Sequence, residues 1–468
     1  MLLSSTKINY KTFLINLLFS FIPISFIAGN LILNLNILLF IIFSIVFYGK
    51  DIFTLNFNSL DKIILIFFAY TIFTGTLNNF YLQSENLNED YTIIIKTILY
   101  LRFLIFYFVI RILINKNLIN FKPFFIFCFI GTYFVSLDLI YQLNLGKDIF
   151  GYIATPIGED TMPRRLSGPF GDELIAGSYL QRFSLFALFL FPLFFNNKSK
   201  IYLYLLLFLS FILIIVGLII AGNRMPLILF IILIACVLSF NKSMRKFLLS
   251  FLLLSIISLT TLWNLNLKDK PHFAGFVKQV EEIIEFTSAV IIKDKEVNYE
   301  GNPECINKNE GSAKCKYTVN VNGKLIPIKN VYIKEFNSGY QTWLEHKFFG
   351  GGIKSFRYNC IKLLAVTMNC NSHPHNYYLE ILTELGLIGF FLILIIFCAV
   401  LWKSFLNQYT TKPGSIYNKI IIPFMFLFLI EIFPIKTTGS FFTTGNATYL
   451  FLIMSITIAL SQTSKKKI

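Results

Sequence analysis

Apolar residues in this chain run together rather than alternate with polar ones. Runs of roughly 18 residues, each long enough to cross ~30 Å of hydrocarbon as a helix, recur along its length. They predict membrane-spanning helices near 12–29, 31–48, 62–81, 92–114, 121–142, 175–195, 201–221, 225–241, 246–265, 379–402, 418–433 and 445–461. The first run has no small-x-small cleavage site before the next span, so it reads as a retained helix rather than a leader. Two outside segments, about 144–173 and 267–378, are too long and too polar to be turns. The second opens with amphipathic helical spacing over 276–292. Its middle, 316–333, alternates around Val321-Asn322-Gly323-Lys324, where Asn-Gly signals a two-residue hairpin. The expected fold is an all-α polytopic bundle of about twelve spans. It divides into 1–265 (spans one to nine, with an outside loop at 143–174), a large outside loop at 266–378, and 379–468 with the last three spans.

Composition agrees with that pattern. Hydrophobic residues make up 56% of the chain and charged residues 14%, with 54 phenylalanines, whereas a soluble domain is nearer a quarter charged. The formal charge of +16 is distributed by topology. Lys7 and Lys11, Lys50 and Lys62, Lys116 and Lys122, Lys198 and Lys200, Lys242 with Arg245 and Lys246, Lys403 with Lys412, and Lys465 to Lys467 fall at alternate span ends. Short loops on the other side carry almost none, and the loop 83–90 is acidic. This is the positive-inside pattern, which puts both termini in the cytoplasm and the long loops outside. Basic residues dispersed in this way exclude a nucleic-acid-binding reading.

Of seven cysteines, Cys128, Cys236 and Cys398 lie inside spans and read as small buried hydrophobes. Cys305, Cys315, Cys360 and Cys370 lie in the large outside loop, where an even set reads as disulfides. Three connectivities are open. The paired ten-residue spacings favour Cys305–Cys315 and Cys360–Cys370, and a zinc site is the rival, without C-x-x-C spacing. Disulfides on that side imply an inner membrane facing a periplasm.

Chemistry gathers on the same side. All four histidines lie in the polar stretch that ends at Leu379: His272, His346, His373 and His375. Three motifs face outward: Arg164-Arg165-Leu166-Ser167-Gly168-Pro169-Phe170-Gly171, Gly222-Asn223-Arg224, and His375-Asn376-Tyr377-Tyr378-Leu379 followed by Glu384-Leu385-Gly386-Leu387-Ile388-Gly389. In that order they resemble the O-antigen ligase and O-antigen polymerase family of bacterial membrane glycosyltransferases. That family shows R-x-[ST]-G-x-F, G-[SN]-R and H-N-x-[YF]-L…E-x-G-x-x-G. The resemblance covers spans five to ten. It implies transfer of a glycan from an undecaprenyl diphosphate carrier to a sugar hydroxyl, that of lipid A–core in a ligase or of another lipid-linked repeat unit in a polymerase. Departures are the bulkier loop with its cysteines, and Asp172-Glu173 where the family often has Asp-Pro-Asn.

The residue types suit that chemistry. A diphosphate leaving group needs cations, and the planar fork of arginine fits phosphate. Arg165 and Arg224 are the catalytic candidates, with Arg164 beside them for substrate binding. The alternative for each is an interfacial anchor for lipid headgroups. The acceptor hydroxyl needs a proton acceptor near neutral pH. His375, directly before Asn376, is the candidate, and His373 orients it or stands by as a solvated loop histidine. Asn376 and Glu380 are further substrate-binding candidates; Glu380 and Glu384, at helical spacing, either hold the site together or serve as a polar helix cap. Arg102, inside a span, is either a donor contact or half of an ion pair with Asp138. No Asp-x-Asp occurs and no dense carboxylate cluster offers divalent coordination, so no metal and no cofactor is expected. A flippase or carrier for lipid-linked sugar remains the alternative from another class. It would use the arginines without needing a histidine, and the chain shows no internal repeat of the kind such carriers carry.

Overall fold

A computed structural model describes residues 9–52, 57–84, 91–153, 165–195, 200–240, 245, 249, 252–253, 304–306, 314–316, 318–321, 324–327, 331–364, 370–410, 416–437 and 439–463. Helices α1 (Tyr10–Ile27), α2 (Asn30–Ile52), α3 (Ser59–Ser84), α4 (Thr92–Tyr100), α5 (Arg102–Asn115), α6 (Phe121–Leu145), α7 (Ala176–Phe194), α8 (Lys200–Ile220) and α9 (Arg224–Phe240) precede the polar segment. Within that segment lie strands β1 (Glu304–Ile306), β2 (Lys314–Lys316), β3 (Thr318–Val321) and β4 (Lys324–Pro327) and helices α10 (Val331–Glu345) and α11 (Phe356–Leu364). Helices α12 (Tyr377–Thr410), α13 (Ile416–Glu431) and α14 (Thr444–Thr463) follow.

Eight of these stretches are long and apolar enough to cross a bilayer, with α4 and α5 counting as one. The apolar parts of α8 and α9 are shorter, at Tyr204–Ile220 and Arg224–Phe240, and α13 has 16 residues. The ninth expected span, 246–265, and the amphipathic stretch 276–292 lie outside the described residues apart from 249, 252 and 253. The protein is a multi-pass helical membrane protein. α14 and α7 are its central helices, with 83% and 72% of their apolar windows buried, against a third to a half for the rest. In lipid, packing rather than hydrophobicity holds helices together, and rings do much of it here. Phe424 on α13 lies 4.6 Å from Phe186 and 5.8 Å from Phe121, ring centre to ring centre.

The polar segment is partly as the pattern predicted. Register pairs Val321 with Lys324 and leaves Asn322-Gly323 between the paired ends of β3 and β4. The alternation stops at Pro327, however, and the chain is helical from Val331. Two further expectations change. The span at 92–114 is broken at Leu101, whose N–H donates to Ile98 O at 3.0 Å, so that Arg102 opens a new helix. And α12 is broken at Gly386, with φ 64° and ψ −169°.

That break is what fastens the polar segment to the membrane bundle. An opened helix leaves backbone groups that must find partners in a membrane protein. Here the chain at 347–352 supplies them. Leu387 N–H donates to Lys347 O at 2.9 Å, Gly351 N–H to Thr383 O at 2.9 Å and Gly352 N–H to Glu384 O at 2.7 Å. Asn78 on α3 donates to Gly350 O at 3.0 Å and the Tyr70 hydroxyl to Leu385 O at 2.9 Å. Only glycine takes the Gly386 conformation without strain, and a Cβ there would lie 2.3 Å from Phe348 O. Gly386→Ala is therefore expected to lose at least ~1–3 kcal/mol of stability from the backbone conformation alone. Thermal unfolding in detergent reads this out, and an unchanged midpoint would count against the account of the break.

Candidate active site

The end of the bundle where α6, α9, α12 and α14 meet the polar loops gathers the sequence-selected residues. Arg165 sits on a loop moored to α6. Gly168 N–H donates to Gln142 Oε1 at 2.8 Å, the Gln142 amide donates to Ser167 Oγ at 3.4 Å, and Gly168 adopts φ 56° over Leu139. The turn before α9 locks onto that loop. Leu166 N–H donates to Ala221 O at 3.4 Å, and Asn223 Nδ2 to Leu174 O at 3.0 Å. The two arginine-bearing turns are thus hydrogen-bonded neighbours. Arg165 and Arg224 are each half-buried. Arg224 is the first residue of α9, where its charge adds to the positive end of the helix. Arg164 lies outside the described residues.

His375 precedes α12 with φ 50°, a left-handed conformation that is uncommon for a non-glycine residue. Its imidazole is pulled below the ordinary histidine range by burial and then by the Arg165 charge, which places Arg165 within electrostatic reach. His373 stacks against it, with ring centres 4.3 Å apart. Burial, with His375 and Lys354 nearby, drives His373 down to about 3. It hydrogen-bonds Ser372 Oγ through Nδ1 at 2.9 Å. Such a ring stays neutral at any working pH. Of the two histidines, His375 is the one placed to exchange a proton near neutrality.

Asn376 is the N-cap of α12. Its Oδ1 accepts from Leu379 N–H at 3.1 Å and its Nδ2 donates to Pro434 O at 2.8 Å, which spends the side chain on holding the helix start to the α13–α14 loop. Glu380 is fully buried rather than a solvated cap. It accepts from Ser440 Oγ at 2.5 Å and Phe441 N–H at 2.6 Å, with Lys354 Nζ 3.6 Å away. Arg102 donates to Thr444 Oγ1 at 3.0 Å, near the same 440–444 loop. The expected Arg102–Asp138 pair is not formed. Asp138 instead accepts from Ile149 N–H at 2.8 Å, because the chain after α6 folds back over that helix end. A disulfide joins Cys360 and Cys370. Cys305 and Cys315 face each other in the β1–β2 register, and their side chains lie outside the description.

Three features escaped the sequence reading. Glu335, on α10, lies with Oε1 3.6 Å from His375 Nε2. Lys354, with φ 68°, is delivered by Gly350-Gly351-Gly352 to Ser440 Oγ at 2.6 Å. And a buried network under the site joins Arg182, Glu431, Lys436 and Tyr377. The helical spacing of Glu335, Ser338, Gly339 and Thr342 is the signal that marks the first. All four are buried on one face, and a Cβ on Gly339 would lie 2.5 Å from Leu379.

Comparison with known families matches residues 209–394 to the O-antigen ligase model. Over that stretch the chain is similar to the O-antigen ligases. The match takes in Arg224, Glu335, Lys354, His375 and the Gly386 break, and ends before the network at Glu431. No curated protein matches the chain. The matched stretch is thus like that of O-antigen ligases, within a chain whose apolar helices make it a multi-pass membrane protein.

Proposed function

We propose that this protein transfers a glycan from an undecaprenyl diphosphate carrier to an acceptor sugar hydroxyl on the periplasmic side, as a ligase to lipid A–core. The observation that carries the reading is the meeting of three chain-distant elements at one bundle end. These are the paired turns of Arg165 and Arg224, and His375 at the start of α12 within electrostatic reach of Arg165. The positive-inside pattern puts that end in the periplasm and both termini in the cytoplasm.

In the step itself, the acceptor oxygen forms a bond to the anomeric carbon as its proton passes to His375. The bond from that carbon to the phosphate oxygen breaks, and its electron pair leaves with the undecaprenyl diphosphate. Arg165 and Arg224 hold the diphosphate and meet the charge that grows on it. The half-buried setting strengthens both effects, since less water screens them. In the polymerase form, the acceptor is a second lipid-linked repeat unit at the same site. Neither form needs a metal ion for these roles, because the arginines supply the positive charge.

Transfer from a lipid diphosphate donor, measured in detergent or vesicles with chelator present, tests the reading. Arg165→Ala and Arg224→Ala are each expected to weaken donor binding and transfer together by roughly 10–100-fold, the worth of a charged hydrogen bond at ~1.5–3 kcal/mol. Lysine should restore little, since it lacks the bidentate fork. Donor crossing the bilayer without transfer would favour the carrier and sink the enzyme reading.

A further inference from the structure

His375 faces a carboxyl that takes no part in the transfer step above. Glu335 is 5% exposed on the inner face of α10, and its Oε1 lies 3.6 Å from His375 Nε2. The same Oε1 accepts from Asn371 Nδ2 at 2.5 Å. With the transfer step as the function of the site, we propose that Glu335 is the positioning residue of His375. Its Oε1 faces the Nε2 proton, so Nδ1 is the nitrogen that takes the acceptor's proton.

The hydrogen-bond inventory makes the assignment. The Asn371 amide can only donate through Nδ2, so Oε1 is an acceptor whether Glu335 is ionised or neutral. At 3.6 Å the two atoms lie just beyond direct hydrogen-bond distance, and a neutral imidazole that closes on an acceptor carries its proton on that nitrogen, which leaves the lone pair on the other. Local packing holds the arrangement. Gly339, one turn beyond Glu335, lets α10 approach the 374–379 segment, where a Cβ would meet Leu379 at 2.5 Å and Pro374 at 2.8 Å. His375 meets it from the other side in a left-handed conformation, φ 50°, that the surrounding structure must impose.

Charge supports the same division of labour. The groups that face His375 are Glu335 from α10, Arg165 from the loop before α7, and His373 on its own segment, with Lys354 acting on His373. Burial pushes Glu335 up to about 7 against the opposing Asn371 hydrogen bond, and burial with Arg165 draws His375 down. Near neutrality the imidazole is therefore unprotonated and able to accept. Once it does, the neighbouring carboxyl is poised to ionise and stabilise the imidazolium.

Rates and spectra on the full-length protein together test the pairing. Glu335→Gln keeps an acceptor oxygen but loses the charge. It should lower kcat about tenfold with donor KM unchanged, and Glu335→Ala about 100-fold, the range typical of a group that orients a histidine. The base form of His375 is the active one, so activity rises with pH through its pKa. A carboxylate raises that pKa, so its removal moves the acid limb to lower pH. A purely structural role would lower activity without moving the limb. In ¹⁵N-histidine spectra, with the His375 signals assigned by His375→Ala, wild type should show Nε2 protonated and Nδ1 bare, and Glu335→Ala a mixture. A protonated Nδ1 in wild type, or an unmoved acid limb in both variants, overturns the proposal. No transfer by wild type, with the Nε2 proton still seen, would sink the transfer reading while supporting the Glu335–His375 pairing.

Discussion

His375→Ala is expected to cut glycan transfer by ~10²–10⁴-fold while leaving protein level and donor binding largely intact. The side chain is half-buried, so its removal opens no cavity in the bundle. Arg165 and Arg224, proposed to hold the diphosphate, are on other elements, so on that reading the donor keeps its contacts. What is lost is the proposed acceptor for the hydroxyl proton. His373 cannot substitute, because burial and its charged neighbours hold it down to about 3 and its Nδ1 is tied to Ser372. His373→Ala should accordingly cost less than His375→Ala. In the wild type, activity should fall as pH drops through a value below the ordinary ~6.5 of histidine, the direction in which burial and Arg165 draw His375. Rates across pH for both variants check this. Full transfer by His375→Ala would remove it as the proton acceptor.

The sequence showed the multi-pass helical architecture because a span writes itself in a contiguous run of apolar residues. The motif glycines were legible as a family pattern, but their physical reason was not. Gly386 breaks a helix that reads as continuously apolar, and the chain that fills the break lies about forty positions earlier. Glu335 stands forty residues before His375, just past the stretch where alternation suggested strand; its helical spacing marks a buried face but not the partner that face meets. Lys354 hides behind three glycines that look like a flexible loop yet are pinned by Thr383, Glu384 and Asn78. Arg102 was visible as an intramembrane charge, but partner choice by nearness in the pattern failed. Asp138 is consumed by the backbone of its own loop, and Arg102 finds a threonine at the start of α14.

Lys436 is the sharpest case of a charge whose meaning depends on the fold. In the sequence it is a lone lysine between two apolar runs. In the structure it is 3% exposed, with Nζ 2.6 Å from Glu431 Oε1. That oxygen also accepts from Arg182 Nη2 at 2.7 Å and from the Tyr377 hydroxyl at 2.8 Å. Arg182 reaches on to Asn446 Oδ1 at 2.6 Å and lies over the Tyr449 ring. Two buried cations thus share one buried anion.

An ordered set of stabilities follows from that ratio. Glu431→Ala leaves Arg182 and Lys436 buried with no counter-charge between them, which should destabilise the protein by ~3–5 kcal/mol. Lys436→Met leaves a neutral Arg182–Glu431 pair and should change stability little. The double variant Glu431→Ala/Lys436→Met removes one of the two stranded cations and is expected to be more stable than Glu431→Ala alone, a coupling of ~0.5–3 kcal/mol. Thermal or denaturant unfolding in detergent ranks the three, and a double variant that is merely additive would show that the charges do not share Glu431 as drawn. The order also reaches function. Tyr377 is held by Glu431 and follows His375 and the Asn376 cap, so a loosened network lets the start of α12 move. A proton acceptor that has to meet its hydroxyl within hydrogen-bond distance tolerates little such motion. Glu431→Ala should therefore lose transfer activity at temperatures where it remains folded, and Lys436→Met should keep it.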